Sequence, residues 1–403
     1  MSAQVISNQI SSQRLLSLDA LRGFTIAGMV IVNDPGSWDS VYAPLEHAQW
    51  HGLTATDLIF PFFLYIVGVS IAFAYTKRLK ANVPKKEIYK KILWRSLKIF
   101  AVGVFLWLWP DFNFATIRWA GVLQRIAIVF LVGALIFLNA DWKKQVWIGS
   151  IILVAYWILL AFIPVPVDDV IQGALNTGMV ERAGGEVAVQ ELRQISDGLI
   201  AANFEPGVNM QAWLDRALLP GRFWERTWDP EGILSTFPAI VTGIIGMLMG
   251  RLILSEKETF KKLALLFFIG FCMLTAGELW SYIFPLNKNL WSSSFVLYTG
   301  GLATMGLTAC MLIIDVWGYK NWTRLGRIYG ANAITSYVLA GMLTLVFYHD
   351  IWWGVSLSES FMEGTTGIGV SAKLASFLYA VIYMLIIYIP AYILYRKKIF
   401  IKL

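Results

Sequence analysis

Long apolar blocks, separated by short polar stretches, run through the whole sequence. Most of them extend over roughly 18–25 residues, the length that an α-helix needs to cross about 30 Å of hydrocarbon. Their residues do not alternate between apolar and polar, as the strands of a transmembrane β-barrel would require. The pattern therefore predicts an all-α fold, a polytopic transmembrane bundle of about ten spans. The blocks centre on residues 22–33, 56–75, 92–109, 119–139, 145–163, 233–250, 263–284, 293–314, 328–348 and 370–395.

Composition supports a membrane protein. Of 403 residues, 57% are hydrophobic and 15% are charged, whereas soluble domains average about 45–50% apolar and about 25% charged residues. Cys272 and Cys310, the two cysteines, both fall inside apolar blocks. This position argues against a disulfide framework and favours two structural thiols.

Basic residues predict the orientation of the bundle. With ten spans, one set of connecting segments holds 24 of the 33 lysines and arginines. The positive-inside rule places this set, with both termini, in the cytoplasm. The net charge of +7 is then mostly flanking charge beside membrane lipid and indicates no nucleic-acid partner. We expect one domain over residues 1–403, with an outer loop insertion at about 163–232.

A histidine-containing loop precedes the second apolar block, in the segment LEHAQWHGLTATDLIFPFFLYIVGVSIAFAY. It carries His47 and His51, and Asp57 follows inside the block, while Asn33 and Asp34 end the preceding block. A lone histidine at a membrane interface more often forms a hydrogen bond with the backbone of its loop than takes part in catalysis. In this company, however, His47 is a candidate acid, base or nucleophile, because imidazole titrates near neutral pH. Asp57 is the candidate that orients it.

Charged residues inside the membrane are costly and usually face a partner or a wet cavity. Asp57, Arg125 and Glu278 have this character, and Gln124 lies beside Arg125. Arg125 has two interpretations. It either forms an ion pair that fixes helix packing, with Asp57 or Glu278, or it binds an anionic ligand through its forked N–H groups. Glu278 is expected to line an outward cavity.

Two outer segments combine carboxylates, amides and indoles, groups that suit hydroxyl hydrogen bonding and contact with a sugar ring. An interfacial aromatic belt explains the tryptophans equally well. The segments are Trp228-Asp229-Pro230-Glu231-Gly232 and Asn287-Lys288-Asn289-Leu290-Trp291-Ser292.

The inner side offers a basic surface. Asp19 and Arg22 lie at the entrance of the first block, and residues 77–98 hold nine basic residues and one acid. Such a stretch either faces lipid headgroups or attracts a phosphate-bearing cofactor. The sequence has no P-loop and no dinucleotide-binding fingerprint. Three histidines without an HExxH motif make a metal site unexpected.

Five segments together resemble the heparan-α-glucosaminide N-acetyltransferase family of transmembrane acyltransferases. They occur in the family's order and extend over most of the chain, as in a bacterial-type member. The segments are RLLSLDALRGFTIAGMVIVN, EHAQWHGLTATDLIFPFFLYIVG, IRWAGVLQRIAI, WDPEGILSTFPAI and NKNLWSSSFVL.

The resemblance implies that acetyl-CoA binds from the cytoplasm and that its acetyl group passes to a glucosamine amine on the outer side. His47 matches the catalytic histidine, as general base or transient acetyl carrier. Asn33 matches an asparagine beside the acetyl group, and Arg125 with Gln124 belongs to the family's GVLQR block. At His51 the animal enzyme has asparagine, a departure that bears on local hydrogen bonding or on the choice of acceptor.

The remaining assignments follow from combining the residues with the resemblance. Arg22, Arg125 and Gln124 are candidates for binding acetyl-CoA. The candidate acceptor-binding residues are His51, Asp229, Glu231, Glu278, Asn287, Lys288, Asn289 and Trp291. The expected location is a bacterial inner membrane, and the family suggests a homodimer. Two alternatives stay open: a secondary transporter for a sugar or sugar acid, and an O-acetyltransferase that acts on a glycan hydroxyl.

Overall fold

The computed structural model describes residues 15–190, 192–350 and 354–401. Within these ranges the chain forms fourteen α-helices and five short strands, and the predicted helical membrane bundle is confirmed. The first helices are α1 Leu16–Asn33, α2 Ile59–Lys80, α3 Lys85–Leu108, α4 Val122–Asn139, α5 Trp142–Phe162, α6 Asp169–Thr177 and α7 Met210–Leu218. The others are α8 Ile233–Ile253, α9 Thr259–Ser281, α10 Ser293–Cys310, α11 Arg324–Ala331, α12 Ala333–Tyr348, α13 Leu357–Gly367 and α14 Ala372–Arg396.

All ten predicted blocks are helical, but they differ as membrane spans. In the described ranges, eight helices are long and apolar enough to cross a membrane. A ninth span is possible where Asn321–Ala331 and Ala333–Tyr348 form a pair bent by 74°. Helix α3 is 24 residues long, but its first half carries five of the basic residues noted above. The number and direction of spans stay predictions, and residues 1–14 and 402–403 of the predicted cytoplasmic termini lie outside the described residues.

Helices α2 and α8 cross closely at the centre of the bundle because both carry glycine at the contact. A Cβ on Gly68 would lie 2.0 Å from the carbonyl oxygen of Gly243, and one on Gly246 would lie 2.1 Å from that of Tyr65. Small residues at a crossing let two backbones approach, which is how membrane helices pack without a hydrophobic driving force. The crossing fixes α2, the helix that follows the histidine loop, against α8.

A break in the bundle lies at Asn332, between α11 and α12. Its side-chain amide donates to the carbonyl oxygen of Ile399 at 3.0 Å and accepts from the amide of Ile401 at 2.9 Å. Membrane helices tolerate irregular backbone where it lines a cavity, and this break borders one that is described below.

The outer insertion packs against the histidine loop. It holds a three-stranded antiparallel sheet, ordered β1 Val165–Pro166, β5 Leu199–Ile200 and β4 Gln194–Ser196, and a hairpin of β2 Met179–Arg182 with β3 Gly185–Ala188. The Trp50 indole N–H donates to the carbonyl oxygen of Phe204 at 2.7 Å, and its ring meets that of Trp228 edge-on at 5.7 Å. These contacts hold the loop that carries both outer histidines.

Candidate active site

His47 and Asp57 form a hydrogen-bonded pair where the histidine loop enters α2. His47 Nδ1 lies 2.7 Å from Asp57 Oδ1. The histidine side chain is 45% exposed, whereas the carboxylate is 1% exposed. Because a carboxylate accepts hydrogen bonds, Nδ1 carries the proton of this contact and Nε2 keeps its lone pair. The pair thus presents a basic nitrogen at an accessible surface.

The second oxygen of Asp57 organises the loop itself. Oδ2 accepts hydrogen bonds from the amides of Ala48 and Thr54 and from the Thr54 hydroxyl, each at 3.1 Å. The Thr54 hydroxyl also lies 2.7 Å from the carbonyl oxygen of Glu46. A buried carboxylate is stable only when such donors satisfy it, so the loop has one favoured arrangement around Asp57.

Lys288 reaches the same pair from the loop between α9 and α10. Its Nζ lies 3.1 Å from both ring nitrogens of His47 and 3.9 Å from Asp57 Oδ1. Burial lowers the pKa of Lys288, while the carboxylates of Asp57 and Glu231 oppose that shift. A flexible amine whose pKa is lowered by burial therefore lies against the candidate base.

His51 differs from His47 because no carboxylate among the described residues forms a hydrogen bond with it. The Asn287 amide nitrogen lies 3.3 Å from His51 Nδ1, and this nitrogen can only donate. His51 therefore carries its proton on Nε2. Burial lowers the pKa of His51, although the charge of Glu205 opposes it. The geometry favours a neutral, hydrogen-bonding His51 over a second base.

A buried cluster of charges lies below the outer surface, centred on Arg118. Arg118 donates to both carboxylate oxygens of Asp229 and to Glu231, each bond being 2.7 Å long. Burial opposes the charge of Arg118, but these carboxylates outweigh it and raise its pKa. The guanidinium also lies over the rings of Trp107 and Trp224, at 5.6 and 5.1 Å. Both tryptophans and Arg118 line a cavity of about 150 Å³.

Arg125 is buried in the first turn of α4. One of its terminal nitrogens donates to the carbonyl oxygen of Gly232 at 3.3 Å and to the Ser235 hydroxyl, and its guanidinium lies 5.1 Å from the ring centre of Trp291. Across the described residues, its Nε and Nη1 have no hydrogen-bond partner, and it makes no ion pair with Asp57 or Glu278. The ion pair with Asp57 or Glu278, one of the two interpretations, is therefore not formed among the described residues, and the three N–H groups on these two nitrogens have no partner there.

Gln124 precedes Arg125 and turns toward the outer cluster. Its amide nitrogen lies 3.5 Å from the carbonyl oxygen of Arg118, and it lines the same small cavity as Trp107 and Trp224. Gln124 and Arg125 therefore lie at the end of the bundle that is predicted to face outward. Arg22, the third predicted donor-binding residue, lies elsewhere.

Arg22 borders a large cavity of about 560 Å³ that opens among basic side chains. Its guanidinium donates to the Ser70 hydroxyl at 2.9 Å and to the carbonyl oxygen of Gly330 at 3.3 Å. The cavity extends along α2 from Arg78 to Phe63, which is about 22 Å of helix. The lining holds no acidic residue, and its basic residues are Arg22, Arg78, Lys91, Arg95 and Lys98. The cavity thus suits a ligand with several negative charges at one end.

Comparison with known proteins shows which family the chain resembles. The family model described as heparan-alpha-glucosaminide N-acetyltransferase, catalytic, matches residues 14–175. The heparan-alpha-glucosaminide N-acetyltransferase of Homo sapiens is 29% identical over 433 residues, covering 97% of this chain and 60% of that protein. That of Mus musculus is 27% identical over 435 residues, covering 98% and 61%.

The chain is similar to the heparan-α-glucosaminide N-acetyltransferase family over nearly its whole length. It spans about 60% of the length of the curated relatives that it matches. The segment that matches the family model contains Asn33, His47, Asp57 and Arg125, but not the loop that carries Lys288.

Several residues predicted to bind an acceptor turn inward. Asp229 is engaged by Arg118, and the buried Asn287 accepts from the amide of Leu290 at 2.9 Å. Trp291 is 1% exposed and donates to the Thr242 hydroxyl at 3.1 Å. The sequence predicts that these groups face a sugar, but in the structure their polar atoms form hydrogen bonds within the protein. These three side chains are buried beneath the candidate site.

Other predicted residues stand apart from the histidine pair. Asn33 is exposed at the end of α1, and Glu278 is exposed on α9. Neither side chain makes a hydrogen bond within the part of the chain that the structure describes. Asn289 contributes its backbone carbonyl, which accepts from Gln211 at 3.0 Å. Among the residues predicted to bind the acceptor, Lys288 lies within hydrogen-bond distance of His47. The charge of Glu231 acts on Lys288 and opposes the lowering of its pKa.

Sequence reasoning missed Arg118, Trp107 and Trp224. Arg118 belongs to the quoted IRWAGVLQRIAI segment, and an arginine beside an outer loop gave a usable signal. The tryptophans gave none, because they resemble any interfacial aromatic residue. As for metals, the residues that the structure describes contain no group of three or more histidine, cysteine or acidic side chains placed to hold an ion.

Proposed function

We propose that this protein is a membrane-embedded acetyltransferase. It moves an acetyl group from cytoplasmic acetyl-CoA to the amine of a terminal glucosamine or related amino sugar on the outer side of a bacterial inner membrane. The similarity to heparan-alpha-glucosaminide N-acetyltransferases supports the reaction class. The observation that carries the proposal is the single helix α2, which borders the basic cavity along most of its length and begins at the His47–Asp57 pair.

The basic cavity is the proposed donor site. Acetyl-CoA carries phosphates at one end and an acetyl thioester at the other, with a long thin arm between them. Arg22, Arg78 and Arg95 suit the phosphates, since guanidinium groups bind phosphate oxygens in a fork. Phe63 is the residue of α2 in the cavity lining that lies nearest the histidine loop in sequence, about 9 Å along the helix axis from Asp57. Only the acetyl end needs to reach the histidine pair.

His47 is the proposed general base. Asp57 holds the proton on Nδ1, so Nε2 accepts a proton from the acceptor amine as its nitrogen attacks the thioester carbonyl. His47 then returns this proton to the departing thiolate. In the alternative mechanism, Nε2 itself carries the acetyl group between two steps. Both mechanisms need the tautomer that Asp57 sets.

Two groups are proposed to stabilise the carbonyl oxygen as charge develops on it. The free N–H groups of Arg125 are fixed beside Trp291, and the exposed Asn33 amide lies at the outer end of α1. Each well-placed donor of this kind contributes about 2.7–4 kcal/mol to lowering a barrier. Arg125 thus acts on the acetyl end of the donor, and its outer position does not suit the phosphates.

The test measures CoA release by purified protein given acetyl-CoA, with and without glucosamine. His47→Ala should lose the glucosamine-dependent release. His349→Ala is the matched control, because His349 is exposed beyond α12 and bonds to nothing in the described ranges. It should keep wild-type release.

Full release by folded His47→Ala would overturn the assigned base. Release with glycan hydroxyls but not with amino sugars would replace the proposed acceptor with that of an O-acetyltransferase. Sugar uptake into vesicles without acetyl-CoA would favour the transporter.

A further inference from the structure

An amine of the protein itself occupies the position that an acceptor amine must reach. Asp57 binds Nδ1 of His47, so Nε2 is the nitrogen left to act as base. Any amine that His47 deprotonates must come within hydrogen-bond distance of Nε2. The Nζ of Lys288 already lies 3.1 Å from it.

The geometry requires a small movement of this lysine. Equal distances to Nδ1 and Nε2 place Nζ beside the ring, over the edge that joins the two nitrogens, and not on the axis of the Nε2 lone pair. A lysine side chain is a flexible stem with rotatable donors. A turn about its terminal bonds brings Nζ into line with Nε2.

The surroundings of Lys288 favour a reactive amine. The groups that act on it electrostatically are the carboxylates of Asp57 and Glu231 and the guanidinium of Arg125. Burial is the largest influence, and it lowers the pKa of Lys288 and raises the neutral fraction. A neutral lysine amine is a nucleophile.

We propose that Lys288 is an acetylation site of the enzyme itself, modified when the donor is bound and no acceptor is present. This inference rests on the proposed function. In the step, the neutral Nζ forms a bond to the thioester carbonyl carbon and its proton passes to His47 Nε2. The carbon–sulfur bond breaks, and the thiolate takes the proton from His47. The products are Nε-acetyl-lysine and CoA thiol, so atoms and electrons balance.

The modification closes the site. Acetylation removes the charge of Lys288 and its attraction to Asp57 and Glu231. It also leaves a stable amide against His47, where an acceptor must bind. A glucosamine that occupies this position first displaces Nζ, so the acceptor protects the enzyme. Each protein chain thus inactivates itself by a single acetylation when it holds the donor without an acceptor.

The experiment uses the full chain, purified in detergent and incubated with acetyl-CoA. Peptide mass spectrometry follows Lys288 and, as an internal control, Lys373, which is exposed at the start of α14. We expect acetyl on Lys288 and not on Lys373, slower modification with glucosamine present, and none in His47→Ala. Activity toward glucosamine should fall during preincubation with acetyl-CoA in the wild type and stay at its own initial value in Lys288→Arg.

Each other outcome has a distinct meaning. Unmodified Lys288 in protein that acetylates glucosamine overturns this inference and leaves the proposed function intact. Equal acetylation of Lys288 in wild type and His47→Ala shows chemical acetylation without catalysis and also overturns it. No acetylation of Lys288 and no CoA release with any amino sugar overturns the inference and the proposed function together. The wild-type mass measurement does not depend on the folding of any variant.

Discussion

Replacing Asp57 by asparagine tests the proposed chemistry directly, because it removes the charge and keeps the shape. Three donors converge on Oδ2, from Ala48 and Thr54, so the amide oxygen of asparagine must take this position. The amide nitrogen then replaces Oδ1 and donates to Nδ1 of His47. Nδ1 can accept only without its proton, so the proton moves to Nε2 and the base is lost.

The structure gives the magnitude of this effect. In the opposite orientation the amide nitrogen would face three donors, and each buried donor left unsatisfied costs roughly 1–3 kcal/mol. The inactive tautomer should therefore be almost fully populated. The same exchange in a Ser-His-Asp triad lowers kcat about 10,000-fold. We expect a loss of about 1,000- to 10,000-fold here by the same tautomer argument.

The assay is kcat from CoA release at saturating acetyl-CoA and glucosamine. Thr54→Val is the matched control: it removes one donor to Oδ2 and keeps the contact between His47 and Asp57. The single proton of the Thr54 hydroxyl is shared between Asp57 Oδ2 and the nearer carbonyl oxygen of Glu46, 2.7 Å away. Loss of this hydroxyl should therefore affect kcat far less than loss of the Asp57 charge. If Asp57→Asn keeps its thermal unfolding profile and a kcat close to wild type, Asp57 does not set the tautomer and the reasoning is refuted.

Three further predictions concern the donor cavity, the outer cluster and the insertion. Arg78→Ala should weaken CoA binding about 10- to 100-fold, as expected for one lost charge-assisted bond, whereas Lys77→Ala, outside the cavity lining, should not; calorimetry at two salt concentrations compares them. Arg118→Lys should lower the unfolding temperature, because an ammonium lacks the fork that binds Asp229 twice; an unchanged temperature would contradict this. Burial raises the pKa of Asp215 from 3.8 to about 7, so the folded state binds more protons than the unfolded state, and stability should fall as pH rises between these values. Thermal unfolding of Asp215→Asn should lack this decline, and a parallel decline in the variant would refute it.

Sequence reasoning found the helices and the histidine pair because both depend on local pattern. Long apolar blocks form helices in any membrane bundle. His47 and Asp57 are ten residues apart at one loop–helix junction, so their contact needs no distant part of the chain. The inner basic residues of α2 and α3 were recognised as a group for the same reason.

The outer site was harder to predict because it depends on turns and on pairings between distant residues. Trp291 adopts a left-handed backbone conformation with φ of 50°, and its indole is buried in the core. The sequence around Trp291 does not predict this conformation. Arg118 binds Asp229 across 111 residues of sequence. Side chains that suit a sugar surface equally suit internal hydrogen bonds, and only tertiary packing decides between them.

In the proposed reaction, the two ends of α2 let one bundle acetylate an acceptor across a membrane without moving the whole donor. The basic residues are proposed to hold the phosphates at the inner end, and Asp57 is proposed to fix the base at the outer end. The crossing with α8 at Gly68 and Gly243 makes the separation rigid, because neither backbone has room to slide. A donor with a long thin arm spans this distance by its own length. In the proposed reaction, therefore, only the acetyl group passes to the outer side, and alternating access of the kind that transporters use is not required.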